Sequence, residues 1–353
     1  MSVDIQDLQA LCHDVFGTHA KRDQDSLDSR MFDAALWEVL TNLGLTSVGI
    51  AEAMGGTGGS LVEAAAIVTA ASRHAARIPL AEASMLAAWL LSSNGIEIPN
   101  GVLTIGADQL DATRVQRGWW LRGRLRRVAF GRDADWISGL AKTASGPAVF
   151  VIDAHGLTIT SGANLAGEPR DDISIDTVVP ESAVVDVVAS VHDELLYRAA
   201  LARALMIAGA METALSMSID YAKTRKQFGR PIGNFQSVQN HVAQMAGETA
   251  TVSAITHAAL NAYDSDGMTP RVRTLVAAAK VLTVAAGSTV AAIAHQIHGA
   301  IGMTYEFALH EYTSRIWSWC DEWGSQTMWA GELGSAAAAT GGKKLWAWLE
   351  GSA

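Results

Sequence analysis

From Arg271 to Gln296 the chain is apolar around most of a helical wheel, with no proline to interrupt it. A helix apolar all round has to be buried, in a bundle or an interface. Its longest apolar run, Val276–Ala294, is broken by Lys280, Gly287 and Ser288, which predicts a buried helix rather than a membrane span. The rest of the chain must therefore supply helices that cover it. Phe235, Val238, Val242, Met245 and Val252 fall on one helical face just upstream and predict one such partner. Composition agrees: 49% of residues are hydrophobic, only 18% are charged, and alanine, the best helix former, is abundant.

The N-terminal part also reads as helical. Phe32, Ala35, Leu36, Val39, Leu40 and Leu43 recur at three- and four-residue steps, and Gly44 is placed to end that helix. After the glycine turn Gly55–Gly59, Ser60 and Glu63 have the spacing of a capping box, ahead of two Ala/Leu-rich helices running to Ser93. The pattern then changes. Trp119–Leu125, Ala148–Ile152, Leu157–Thr160 and Ile173–Val179 read as short antiparallel strands without intervening helices, as in a small β-barrel or sandwich. The expected fold is mainly α with a central β domain: residues 1–103 helical, 104–189 β, and 190–353 a helical bundle. No repeat is visible.

Net charge is −10, which argues against a general nucleic-acid or anionic-membrane binder. Cys12 and Cys320 lie far apart and offer neither a metal spacing nor a disulfide framework, so two reduced thiols are expected. The opening MSVDIQDLQALCHDVFG has no basic and then apolar region of a signal peptide, and a cytoplasmic location is expected. The Gly55–Gly59 cluster fails as a dinucleotide fingerprint, because Leu61 stands where the third glycine belongs. No P-loop and no Gly-x-Ser-x-Gly elbow occurs.

Two segments carry chemistry. The first is Tyr221-Ala222-Lys223-Thr224-Arg225-Lys226-Gln227-Phe228-Gly229-Arg230-Pro231-Ile232, followed by Phe235-Gln236. The second is Gln296-Ile297-His298-Gly299-Ala300-Ile301-Gly302, followed by Glu306. A guanidinium offers forked donors that match phosphate oxygens, and Arg225 sits at a helix end marked by Gly229 and Pro231. Gly299 and Gly302 allow backbone N–H groups close to an anion.

Together these segments resemble the C-terminal domain of acyl-CoA dehydrogenases, with Ala300 in place of one glycine. Weaker matches extend the resemblance over nearly the whole chain: Trp37, Leu43-Gly44-Leu45, Gly55-Gly56, Gly123-Arg124-Leu125, Ala134-Asp135-Trp136 and Val179-Pro180. The resemblance implies a three-part acyl-CoA dehydrogenase fold, bound FAD and α,β-desaturation of an acyl-CoA thioester. It implies that Arg225, Gln227, Phe228, Gln296, Gly299 and Gly302 reach across a subunit interface to the ADP end of a neighbour's FAD. An electron-transfer flavoprotein is the acceptor it implies.

Three departures stand out. The family's loop before the β domain, which touches flavin and substrate, has no counterpart in Gly101–Gly118. The strand beside the flavin ring has Arg127, Val128 and Ala129 where the family has a tryptophan and a hydroxyl. It lies among Arg114, Arg117, Arg122, Arg124, Arg126 and Arg132, which read as a solvated surface or as a contact for an acidic partner or a CoA phosphate. The catalytic base is also missing. Trp323 occupies the family's usual position, with Glu322 one residue early, and Ala202 before Arg203 occupies the alternative one. A carboxylate must reach one particular proton, and a one-residue helical slip turns a side chain by about 100 degrees.

Kept clamp positions beside lost ring and base positions resemble the smaller subunit of heteromeric α2β2 acyl-CoA dehydrogenases of actinobacteria, which act on CoA esters of steroids. The resemblance then implies a partner subunit that carries the catalytic glutamate. Two alternatives stay open: a self-sufficient homomeric enzyme using Glu322, and a non-catalytic CoA-thioester-binding or scaffold protein on the same fold.

Overall fold

A computed structural model describes residues 5–19 and 32–345. The chain forms two compact units, Met1–Arg198 and Ala199–Ala353.

In the first unit, α1 (Ile5–His19), α2 (Ala34–Asn42) and α3 (Leu61–Arg73) precede a π-helix, Ala81–Ala88, that runs into the short α4 (Trp89–Ser92). Asp33 caps α2 by accepting the Leu36 N–H at 3.0 Å. The buried face of α2 is Leu36, Trp37 and Leu40, whereas Ala35 and Leu43 of the expected stripe are exposed. Leu36 and Leu40 of the expected stripe are kept and Trp37 joins them, while Leu43 is the C-cap residue just past the helix end at Asn42. Ser60 and Glu63 do form the capping box, with the Ser60 N–H on Glu63 Oε2 at 2.7 Å and the Glu63 N–H on Ser60 Oγ at 3.2 Å. Ser60→Ala should therefore cost about 1 kcal/mol, read as a small drop in the urea midpoint. Periodicity cannot foretell the π-helix, all of whose residues are buried. Arg198, itself buried, donates from Nε to the Met85 carbonyl in that widened turn and lies 4.8 Å over the Trp89 ring.

The β region is a single eight-stranded sheet: β1 (Leu103–Ile105), β2 (Leu110–Val115), β3 (Gly118–Ala129), β4 (Trp136–Lys142), β5 (Pro147–Asp153), β6 (Thr158–Thr160), β7 (Arg170–Val179) and β8 (Val184–Asp186). The order is β6-β7-β3-β2-β4-β5-β8, with β1 beside β4. The four expected strands fall within β3, β5, β6 and β7 and pair antiparallel, whereas β1 and β2, which alternation does not reveal, run parallel to β4. Inward-facing Leu121, Leu125, Ile137, Phe150, Ile173 and Ile175 form its core. The arginines on its outer face are largely spoken for. Arg114 pairs with Glu181, Arg124 with Asp172, Arg126 with Asp108 and Arg132 with Asp171. Arg122 stacks over Trp120. The stretch is a ladder of internal ion pairs, and the acidic-partner reading is withdrawn for these four.

The second unit holds most of α5 (Ser190–Thr224), then a two-stranded hairpin, α6 (Gln236–Asp266), α7 (Pro270–His298), α8 (Leu309–Cys320) and α9 (Gln326–Thr340). Thr269 caps α7 and Pro270 opens it, which explains its sharp start. Val276, Ala277, Ala279, Lys280, Thr283, Val290 and Ala294 are among its buried residues, as expected of a covered helix. By length and composition α5 and the Pro270–Met303 segment are apolar enough to cross a membrane, yet 67% and 56% of their apolar windows are buried in the protein. On α6 the buried face is Met245, Thr249, Val252, Thr256 and Ala259. Phe235, Val238 and Val242 of the expected stripe are only half-buried, and Val238 and Val242 border an apolar groove with Ile219 and Ala222. Of the six tryptophans clustered late in the sequence, Trp346 and Trp348 lie outside the described residues.

Candidate cofactor-contact site

The chain leaves α5 at Thr224, and the Arg225 N–H still closes a helical turn on the Tyr221 carbonyl at 2.8 Å. Lys226–Gln227 and Arg230–Pro231 then pair as β9 and β10. Their two-residue turn, Phe228-Gly229, has φ +51° and +78°, the signature of a type I′ hairpin. A phenylalanine in that conformation is strained by about 1 kcal/mol or more. The turn holds Phe228 at 92% exposure, touching only the Phe235 ring edge-on at 6.1 Å. Arg225, Gln227 and Phe228 all face solvent, and no hydrogen bond or ion pair within the described residues engages the Arg225 guanidinium or the Gln227 amide.

The second segment ends α7. Gln296 is exposed on its last turn, and Gly299 takes φ +66° and ψ −146°, a conformation that only glycine adopts easily. Space around Gly299 is open, whereas Gly302 is buried with its α-carbon face against His298 and Leu309. The two segments meet at one end of the bundle through an aromatic stack. Tyr221 lies 4.5 Å from the His298 ring, nearly parallel to it, and both pack on Phe307 at 5.9 and 4.9 Å. Neither Tyr221 nor His298 is among the residues expected to touch a cofactor. They hold the residues that are: Tyr221 one turn before Arg225, His298 one residue before Gly299.

Two histidines underlie this end. His298 Nδ1–H donates to the Ala294 carbonyl at 2.8 Å, and His295 Nε2 bonds Thr313 Oγ1 at 2.8 Å while its ring stacks on Trp317. Burial holds both below the ordinary histidine value, with neighbouring histidines adding to the effect on His295. An imidazole kept neutral in the fold leaves the unfolded chain binding more protons in acid. Stability should thus be full above about pH 6.5 and fall as pH drops below it. Melting temperature measured from pH 8 to 5 checks this, and His298→Phe should flatten the fall.

The base region lies in the same unit. Ala202 is fully buried and offers no acid. Arg203, 2% exposed, places Nε on Glu322 Oε2 at 2.7 Å. Lys280 donates to the Trp319, Cys320 and Glu322 carbonyls at 3.2, 3.1 and 2.8 Å, closing the C-terminal end of α8. Burial pulls the Lys280 ammonium down to about 8. Trp323 has φ +56°, and its carbonyl accepts the Trp329 indole N–H at 3.1 Å. Glu322 is thus a tethered carboxylate in an ion pair. The sequence hint is Lys280, a lone charge in an apolar helix.

On the sheet, β3 bulges between Leu125 and Val128. Arg127 takes φ +54° there, its N–H on Asp172 Oδ1 at 2.9 Å, while Val128 and Ala129 turn into the core. No hydroxyl is presented from these three positions. Five of the six expected clamp residues, Arg225, Gln227, Phe228, Gln296 and Gly299, fit contact with an outside anionic group because they are exposed, whereas Gly302 is buried beneath the second segment.

Comparison with known proteins adds the following. Residues 3–97 match the acyl-CoA dehydrogenase N-terminal domain, and residues 190–320 match its C-terminal domain. Acyl-CoA dehydrogenase FadE27 of Mycobacterium tuberculosis is 28% identical over 83% of this chain and 84% of its own length. Acyl-CoA dehydrogenase FadE34 of the same organism is 31% identical over 78% of this chain and 38% of its own length. The crystal structure of the ChsE4–ChsE5 complex from Mycobacterium tuberculosis contains a chain 26% identical, with a TM-score of 0.88, covering 97% of this chain and 99% of that one.

Proposed function

Because the chain belongs to the acyl-CoA dehydrogenase family of oxidoreductases, whose members bind FAD, we propose that it is the subunit of a heteromeric dehydrogenase that completes a partner's FAD site. The observation that carries this reading is the split between its two candidate regions. The clamp residues Arg225, Gln227, Phe228, Gln296 and Gly299 are presented outward, with Gly302 buried under their turn. The base position is filled by Trp323, and its neighbour Glu322 is held by Arg203.

FAD, when bound, supplies the hydride acceptor for desaturation. This chain's part is to bind: Arg225 offers forked donors for a pyrophosphate, Gln227 and Gln296 offer amides, Phe228 offers a ring face, and the open backbone at Gly299 admits an anion closely. The likeness to a chain of a two-protein complex supports a heteromeric assembly. The acyl-CoA substrate is proposed to be a steroid CoA ester, and the acceptor an electron-transfer flavoprotein. Both rest on resemblance to the heteromeric branch of the family. The proton-abstracting glutamate then comes from the partner subunit, and the location is cytoplasmic.

The competing reading, a homomeric enzyme with Glu322 as base, is disfavoured by the Arg203 pair. A base must leave its ion pair to take a proton, and a buried guanidinium opposes that. Glu322→Gln in the assembled complex is expected to leave kcat within about two-fold, against losses of about 100-fold or more for a true general base. Such a loss in steady-state turnover would restore Glu322 as the base.

A further inference from the structure

The first unit has a cleft that the proposed function does not use. It is a cleft of about 1120 Å3 in the sheet, between the last residues of β5 and the second half of β7. Pairing explains why it exists. On its free side β5 is covered by β8 only along Ala148–Phe150. On its free side β7 is covered by β6 only along Asp172–Ser174. Val151–Asp153 and Ile175–Val179 therefore border a seam that lacks a strand.

Which main-chain groups point into the seam follows from alternation, since successive residues of a strand direct N–H and C=O to opposite sides. On β5, the Pro147 carbonyl accepts from Val187 on the β8 side, while the Ala154 N–H donates to Asp135 on the β4 side. Odd-numbered residues thus face the seam, and those left uncovered are Val151 and Asp153. On β7, the Arg170 N–H donates to Gly162 on the β6 side, while the Val179 carbonyl presses on Gly118 of β3. Even-numbered residues face the seam here, and Asp176 and Val178 are uncovered. None of these four residues has a recorded backbone partner across the seam.

The walls add chemistry. Val151, Leu157 and Val178 make them apolar, and Val178 is 54% exposed. Glu97, Asp153 and Asp176 make the rim acidic; His155 is bound to Asp153 at 2.7 Å, and Asp176 accepts the Trp120 indole N–H at 2.7 Å with Arg122 as its cross-strand neighbour. We propose that this seam is a docking slot for a short extended segment of another polypeptide that carries a lysine or arginine, joining the sheet between β5 and β7. An extended backbone is the occupant that satisfies donors and acceptors on both edges at once. The acidic rim selects basic side chains.

The test uses the full chain and the capped peptide acetyl-Val-Lys-Val-Lys-Val-amide, with amide hydrogen exchange read by NMR. Saturable slowing of the Val151, Asp153, Asp176 and Val178 amides is expected at millimolar peptide. Asp153→Lys with Asp176→Lys, or glutamates in place of the peptide's lysines, should weaken it by about ten-fold or more. Methylating the peptide's alternate amide nitrogens should abolish it. No slowing, or equal slowing by the methylated or glutamate peptide, overturns the proposal. A fold test guards the premise. Val178→Pro should stay folded and lose the peptide, because its N–H faces the seam, whereas Thr177→Pro, whose N–H serves β3, should disrupt the sheet. Unfolding of both variants alike would show that the edge is not free.

Discussion

Arg203→Met is expected to lower the stability of the C-terminal unit by about 3–5 kcal/mol, the cost of leaving a buried carboxylate without its partner. Arg203 is 2% exposed, and the Glu322 side chain only 12%, so water cannot replace the lost contact. The shift in thermal midpoint should be on the order of 10 °C. The double variant Arg203→Met with Glu322→Leu should recover most of the loss, because replacing a whole buried pair by apolar groups is often neutral. Both are read by circular dichroism melts. If the single variant melts like the parent, the pair is not holding Glu322, and the argument against Glu322 as a base weakens. Lys280 belongs to the same construction. It ties three carbonyls of the turn that contains Glu322, so this corner is braced from two sides.

Arg225→Ala should act on the opposite property. The side chain is exposed and has no internal partner, so melting of the chain should not change. In the assembled complex, flavin retention should weaken by about 10- to 100-fold, the value of a charge-assisted contact to phosphate. Repeated gel filtration followed by absorbance at the flavin band measures it. His298→Ala should give a smaller version of the same loss, because it loosens the frame under Gly299, and His298→Phe should restore it. Retention that is unchanged in Arg225→Ala would remove this residue from any cofactor contact.

How much of this was legible in the sequence can be argued from particular residues. The apolar wheel of α7 was enough to place it in a core, since burial is a property of the whole helix and insensitive to its ends. The Ser60–Glu63 box was legible because capping is local. The face of α2 was legible in Leu36 and Leu40 but not in Trp37, and Leu43 falls past the helix end at Asn42. The arginine-rich β3 was misread in part because its acidic partners, Asp171, Asp172 and Asp108, come from distant strands and loops. Parallel pairing of β1 and β2 with β4 has no signal in alternation alone. For the candidate site, Arg225 to Gly302 were readable as motif residues. The Tyr221–His298–Phe307 stack that joins them was not, because its members are 77 residues or more apart along the chain or belong to a turn without a pattern. The Arg203–Glu322 pair, 119 residues apart, was hidden for the same reason.

On the proposed function, this chain completes a flavin site belonging to another subunit. The most direct measurement is the visible absorbance of the chain purified alone, and again after co-expression with any acyl-CoA dehydrogenase encoded beside it. A colourless chain alone and a yellow complex, with about one flavin per pair of unlike subunits, is the predicted result. A yellow chain alone, at one flavin per chain, would contradict it and would mean that the ring contacts missing at Arg127, Val128 and Ala129 are supplied from elsewhere in this protein.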